Sequence, residues 1–201
     1  MRSEPSSGEF PTLFTERYLE FAGCRVLGTF DVPPDGLVAK LHLVAVTDRG
    51  HVLVCVGEDG DVFLPGGTRE PDESLADLAR RELREEAGAE LRGELTHLLA
   101  LRAVSERPSP YRPHLPHPTS YWSFAVGPAE VVSAPTNPPD GERVVDVRAL
   151  PPAEAVAAIG ENVSAHGDVV RLAAARGHCP STSQPAPRTT GTTPRSTNAG
   201  R

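Results

Sequence analysis

Three glutamates, Glu82, Glu85 and Glu86, stand at the i, i+3, i+4 spacing that makes side chains neighbours on one face of a helix. At about 100° per residue they continue the stripe begun by Leu75, Leu78 and Ala79, so an apolar stripe runs on into carboxylate. Asp77, Arg80, Arg81 and Arg84 occupy the other, solvated side. The ordinary reading of helix glutamates as surface acids therefore fails on phase. Carboxylates crowded at the edge of a core repel one another unless a cation compensates. Hard oxygen donors of this kind favour Mg²⁺ or Mn²⁺ over zinc. Just upstream, Pro65-Gly66-Gly67 follows the short apolar run Val62-Phe63-Leu64. Paired glycines either turn the chain sharply or let backbone approach a ligand.

The elements that must position these groups are legible around them. Ser74 is the expected N-cap of the helix, with Asp77 as its capping-box partner, and Gly88 supplies the left-handed residue that ends it. Leu37–Thr47 and His51–Val56 read as two strands joined at Asp48-Arg49-Gly50, a hairpin. Further strands are expected near Leu95–Val104, Tyr121–Val126 and Arg143–Leu150, and helices near Ala153–Ile159 and Ala165–Arg176. Strands mixed with helices in 201 residues predict one α/β domain with a mixed β-sheet. Residues 1–36, closing on Pro33-Pro34-Asp35-Gly36, read as a partly ordered N-terminal extension packed on a domain of residues 37–177. Residues 178–201 are Ser, Thr, Pro, Gly and Arg with almost nothing to bury, and read as a disordered tail.

Gly67, Glu73, Arg81, Glu82, Leu83, Glu85, Glu86 and Gly88 fall at the spacing G-x5-E-x7-R-E-U-x-E-E-x-G-U, with U a bulky aliphatic. This resembles the Nudix box, and Phe63-Leu64-Pro65-Gly66-Gly67 resembles the family's usual approach to it. Ala89 departs from the pattern, which prefers a larger aliphatic there. The resemblance implies an α/β/α sandwich. It also implies a pyrophosphohydrolase that uses metal-activated water on a diphosphate linkage in a nucleoside diphosphate derivative. On that resemblance Glu82, Glu85, Glu86 and the backbone carbonyl of Gly66 (or Gly67) are metal ligands. Glu82 and Glu85 are the catalytic carboxylates, with Glu82 the leading candidate for general base. Gly67, Glu73, Arg81 and Gly88 support the loop and helix, Glu73 pairing with Arg81.

Other residues are weighed against plainer roles. Family members often recruit a later carboxylate, for which Glu142 in Pro138-Pro139-Asp140-Gly141-Glu142 is the natural candidate, ahead of Asp140. A solvated turn acid explains the same segment equally well. Glu106 and Glu130 are weaker choices. Between Arg107 and Ser120, five prolines forbid a helix that would align His114 with His117 as a metal pair, so a rigid extended loop is expected. Tyr111, Tyr121 or Trp122 offers a ring on which a base could stack, although Tyr121 and Trp122 point to opposite strand faces and one should be core. Pro108 and Tyr111 do not match the markers of the ADP-ribose and dinucleoside polyphosphate hydrolases. The NADH-type and coenzyme-A-type signatures are absent.

Charge narrows the partners. The formal net charge is −7, and no acid follows Asp168, only five arginines, so the body is more acidic than the total states. Such a body repels nucleic acid and anionic membrane, and holds a diphosphate only through a cation. The Met1-Arg2-Ser3-Glu4-Pro5 start predicts no secretory signal, and no run is long enough to span a membrane. Asn162-Val163-Ser164 is then a chance glycosylation sequon. Cys24, Cys55 and Cys179 form no CxxC pair and suit a reducing cytoplasm. The expected partner is a small nucleoside diphosphate-linked substrate, with no membrane and no nucleic acid, and a homodimer is compatible. The alternative function is a silent nucleotide or ADP-ribose sensor, but such modules often lose box carboxylates and here all are present, which favours the enzyme. A transcription regulator lacks room for a helix-turn-helix, and the cysteine–glutamate machinery of an isoprenoid diphosphate isomerase is not evident.

Overall fold

Strands β3 (Val38–Val46) and β4 (Val52–Gly57) are apolar on both faces, and a strand of that kind needs cover on both sides. The computed structural model, which describes residues 7–138, 143–160 and 164–180, supplies it. Successive side chains of β4 divide between two cores: Val52, Val54 and Val56 face one, Leu53 and Cys55 the other. All of β4 is buried. The result is the expected α/β/α sandwich built on a mixed sheet.

The sheet also contains β1 (Arg17–Leu19), β2 (Cys24–Thr29), β5 (Val62–Phe63), β6 (Gly66–Thr68), β7 (Ala89–Leu91), β8 (Thr96–Ser105), β9 (Thr119–Val131) and β10 (Val144–Leu150). Its main path runs β1-β2-β8-β9-β3-β4-β10. The β3–β9 pair is parallel and the other neighbours are antiparallel. The turn at residues 48–50 forms, but β3 and β4 pair only at Val46 and Val52. Beyond that point β3 leaves its sequence neighbour and lies between β9 and β6. Within the stretch read as an N-terminal extension, β2 pairs with β8 along Cys24–Thr29, so residues 17–29 form an edge of the central sheet.

One face is covered by α1 (Pro11–Phe14), α3 (Pro152–Ile159) and α4 (Ser164–Ala175), which bring Leu13, Ala155, Ile159, Val169 and Leu172 against Val44, Val54, Leu99 and Phe124. Thr12 hydrogen-bonds Asp168, tying α1 to α4. Among the described residues the opposite face is covered by one helix, α2 (Leu75–Ala87), through Leu78, Ala79, Leu83 and Ala87. Among the described residues no helix is long and apolar enough to cross a membrane. The tail residues 181–201 lie outside the described residues.

The ends of α2 follow the sequence. The Ser74 hydroxyl accepts from the Asp77 backbone N–H at 3.1 Å and donates to its carboxylate at 2.7 Å. Gly88 sits at φ 56° and its N–H donates to the Leu83 carbonyl, closing the last turn. Its own carbonyl accepts from the backbone N–H groups of Val132 and Ser133. A Cβ on Gly88 would lie 2.1 Å from the Ser133 carbonyl oxygen, whereas Gly60, also at positive φ, has open space around it. Ala89, where the box prefers a larger residue, is fully buried at the start of β7.

Gly88→Ala therefore carries both backbone strain and a clash, and Gly60→Ala carries strain alone. In chemical denaturation Gly60→Ala should lose about 1 kcal/mol and Gly88→Ala clearly more. Equal losses would show that the contact with Ser133 does not constrain the helix end.

Candidate active site

The site begins with β6, which pairs antiparallel with β3 in the register Gly66–His42, Gly67–Leu41 and Thr68–Lys40. The Leu43 N–H donates to the Pro65 carbonyl at 2.8 Å and fixes the entry to the loop. The two glycines answer to close approach more than to the turn. A Cβ on Gly66, at φ 152°, would lie 2.3 Å from the Leu41 carbonyl oxygen. A Cβ on Gly67 would lie 2.2 Å from a carboxylate oxygen of Glu82. Backbone and carboxylate can meet here only where there is no side chain.

From α2, Glu82 and Glu86 are buried, at 6% and 9% exposure, and Glu85 is partly buried beside them. The Gly66 N–H donates to Glu86 Oε2 at 2.8 Å. With Gly66, Gly67 and Thr68, the three glutamates line a cavity of about 330 Å³. Burial pushes the Glu82 carboxyl above its ordinary range, with Glu85 and Glu73 adding repulsion that Arg81 only partly offsets.

Arg81 is the counter-ion of this assembly, and the sequence reading that put it on the solvated side is corrected. It lies at the margin of the stripe, and its long side chain reaches back over the preceding loop. Its Nε donates to Glu73 Oε1 at 2.8 Å and one terminal nitrogen to Glu73 Oε2 at 3.1 Å, a two-point grip. The other terminal nitrogen donates to Glu82 at 2.8 Å and Glu85 at 3.1 Å, and a further bond reaches the Thr68 carbonyl at 3.0 Å. Burial opposes ionisation of Glu73, but hydrogen bonds from Arg81 and the Glu70 N–H outweigh it and hold the carboxyl below its usual range.

The donor set fits a hard divalent cation: carboxylate oxygens and a glycine backbone, crowded and partly desolvated. Among the described residues no three His, Cys, Asp or Glu side chains are gathered at metal-binding spacing; Arg81 bonds Glu82 and Glu85, and the Gly66 N–H bonds Glu86. Glu82, Glu85, Glu86 and the Gly66 carbonyl are the groups that could hold the ion.

Other predicted residues fall elsewhere. Glu142 and Asp140 lie outside the described residues. Glu106 pairs with Arg25 at 3.0 Å and Glu130 with Arg92 at 2.9 Å, both in exposed ion pairs. His114 and His117 do not converge: their Nε2 atoms bond the backbone carbonyls of Arg69 and Arg107 respectively. The proline-rich segment is irregular, as expected, and it joins β8 to β9. Its Arg112 pairs with Glu70, so this loop is clamped to the loop that precedes α2. Trp122 lines a second, more apolar cavity of about 230 Å³ with Phe21, Tyr111 and Leu115; Tyr121 does not line it.

Lys40, His42 and Arg112 line the acidic cavity and were missed from sequence. The available signal was Lys40 and His42 interrupting the apolar run of β3 two residues apart, hence on one face. The His42 ring stacks on Phe124 and lies 4.8 Å from that of His166. Burial, then the neighbouring His166, drives the pKa of His42 well below normal. Burial likewise lowers His166 to about 4. Neutral His166 accepts the Leu64 N–H at Nδ1, 3.1 Å away, and so braces the approach to the glycine loop.

Lysine cannot reproduce a planar fork that spans Glu73 and Glu82. Arg81→Lys should cost about 2 kcal/mol in urea unfolding. Because the folded pKa of Glu73 is lowered, its contribution is full above the ordinary value of 4.5 and fades as the pH falls below it. The stability gap between the native protein and Glu73→Gln should thus shrink on acidification; a gap independent of pH would remove the ion pair from the explanation.

Comparison with known proteins completes the picture. A family model described as NUDIX domain matches residues 39–173. No curated protein matches the chain significantly by sequence. Among solved structures, a pyrophosphohydrolase of Bacillus subtilis is similar at 18% identity over 67% of this chain and 76% of that one, with a TM-score of 0.50. A NUDIX hydrolase from Nitrosomonas europaea shares 17% identity over 68% of this chain and 88% of that one, at a TM-score of 0.47. A protein described as an ADP compounds hydrolase shares 16% over 77% and 87%, at 0.45. The likeness to the Bacillus subtilis protein is one of fold. The family match is independent of it, spans well over half the chain, and includes every residue of the glutamate helix and its glycine loop: the chain belongs to the Nudix hydrolase family.

Proposed function

We propose that this protein hydrolyses the diphosphate linkage of a nucleoside diphosphate derivative, with Mg²⁺ (or Mn²⁺) held by Glu82, Glu85, Glu86 and the Gly66 carbonyl. The observation that carries the reading is that three glutamates, two of them buried, line one cavity with a glycine loop that has no room for a side chain. When bound, a divalent cation neutralises diphosphate charge and makes water nucleophilic near neutral pH. The protein's own groups do the rest. Glu82, whose carboxyl is pushed up by burial, is a stronger base than a solvated glutamate and so suited to accept a proton from water. Glu85, the second catalytic carboxylate, shares the same arginine partner. Arg81 and Glu73 keep the loop and helix in register, and Arg81 screens the carboxylates from one another. The three free cysteines fit a reducing compartment, and we place the protein in the cytoplasm.

The test is a panel of nucleoside triphosphates, ADP-ribose, NADH, nucleotide sugars and dinucleoside polyphosphates with Mg²⁺, run beside Glu86→Gln. At least one member should be turned over, with a rate lower by roughly a hundredfold or more in the variant. Chelation should abolish that turnover and Mg²⁺ restore it. If no member is cleaved faster by the native protein than by the variant, the hydrolase reading is wrong. Tight binding without turnover would identify a sensor instead.

A further inference from the structure

Two cavities meet at Lys40. The acidic one holds Glu82, Glu85 and Glu86; the more apolar one is lined by Phe21, Tyr111, Leu115 and Trp122. Among the described residues only Lys40 and Tyr111 line both. The position follows from the sheet: Lys40 is in register with Thr68 of β6 on one side and with Trp122 of β9 on the other.

A bulge sets that register. Val38 pairs with Tyr121, and Lys40, two residues on, pairs with Trp122, only one residue on. Without the extra residue Lys40 would face Ser123. Bulges re-aim side chains in this way beside functional sites. Here the bulge lays the Lys40 ammonium over the Trp122 indole, 4.8 Å from the ring centroid. That face of Trp122 is thereby occupied; among the described residues Tyr111, 72% exposed and with Arg112 6.0 Å from its ring centroid, is the one of the three aromatic rings, Phe21, Tyr111 and Trp122, that lines both cavities.

Apart from that contact with the Trp122 ring, the charge of Lys40 has no counter-ion among the described residues. Of the other cations lining the acidic cavity, Arg81 is taken by Glu73, Glu82 and Glu85, and Arg112 by Glu70. Among the described residues no carboxylate pairs with Lys40. Burial lowers its pKa, an effect that Cys24 opposes and Arg112 adds to; an anion bound beside it would favour the charged form. It is also the only lysine in the chain.

We propose that Lys40 is a specificity-determining residue that takes a phosphate oxygen of a nucleoside diphosphate whose planar base enters the apolar cavity against Tyr111, while the rest of the diphosphate lies over the glutamates. The proposal rests on the hydrolase reading for the diphosphate half of the site. The apolar half favours a flat group over a flexible chain. Its walls set the rings of Phe21, Tyr111 and Trp122 among rigid prolines, and the polar side chains of Ser105, Ser120 and His117 suit a base edge.

Trp122 is the only tryptophan, so its fluorescence reports the Lys40 seat directly. ADP with Mg²⁺ should change that emission saturably, and adenosine should do so more weakly. Lys40→Gln should weaken ADP by roughly tenfold and leave adenosine unchanged, and Lys40→Arg should restore most of the ADP affinity. Calorimetry on Trp122→Phe, with thermal unfolding as the folding control, should show ADP still bound, since Tyr111 and not Trp122 carries the base. The proposal is overturned if Lys40→Gln binds ADP as tightly as the native protein, or loses adenosine equally. An isoprenyl diphosphate that binds as tightly as ADP would overturn the planar-group half. ADP binding that depends on Lys40 but comes with no turnover of any panel member would sink the hydrolase reading and leave this one standing.

Discussion

Desolvated carboxylate is the constraint on which the rest of this structure depends. Glu82 and Glu86 are nearly closed off from solvent, and Glu85 and Glu73 lie close by. Isolated charges in such surroundings would protonate or disrupt the packing. The chain answers with one guanidinium. Arg81 reaches Glu73, Glu82 and Glu85 and the Thr68 carbonyl, so a single side chain links the loop before the helix, the glycine strand and the helix itself. The Gly66 N–H meets Glu86 from the other side. The glycines follow from the same constraint, because any Cβ there would displace the carboxylate or the neighbouring strand.

The supporting layers serve that arrangement. Strand β3 carries the load by pairing with β6 and β9 at once, and its early divergence from β4 makes this possible. Beneath the loop, His42 and His166 are kept neutral by burial; His166 uses its unprotonated nitrogen to hold Leu64. Above it, the proline-rich segment is anchored through Arg112–Glu70 and His114–Arg69 and forms a wall shared by both cavities. The acidic end of the site and its apolar end are thus parts of one framework.

Much of this was legible in the residues. Helix phase alone aimed Glu82, Glu85 and Glu86 inward, and Ser74 and Gly88 marked the ends of α2 through local backbone chemistry. The proline content of residues 107–120 correctly denied the histidines a helix. Less was legible at the N-terminus: β2 is short, holds Gly28, and has only Cys24 and Val26 buried, too few alternations to stand out. Arg81 was misplaced because a phase wheel locates Cα atoms, while an arginine's head lies several bonds away and follows its partners.

By itself, the sequence determined the carboxylate helix, its caps, the glycine loop and the α/β class, since each rests on interactions within a few residues or on a fixed period. Only the tertiary structure decided which side chains meet those carboxylates. Lys40, His42 and Trp122 come together through a parallel pairing of β3 with β9 and a one-residue bulge within it. That register is set by burial on both faces of the sheet, between segments about eighty residues apart, where local propensity has no reach.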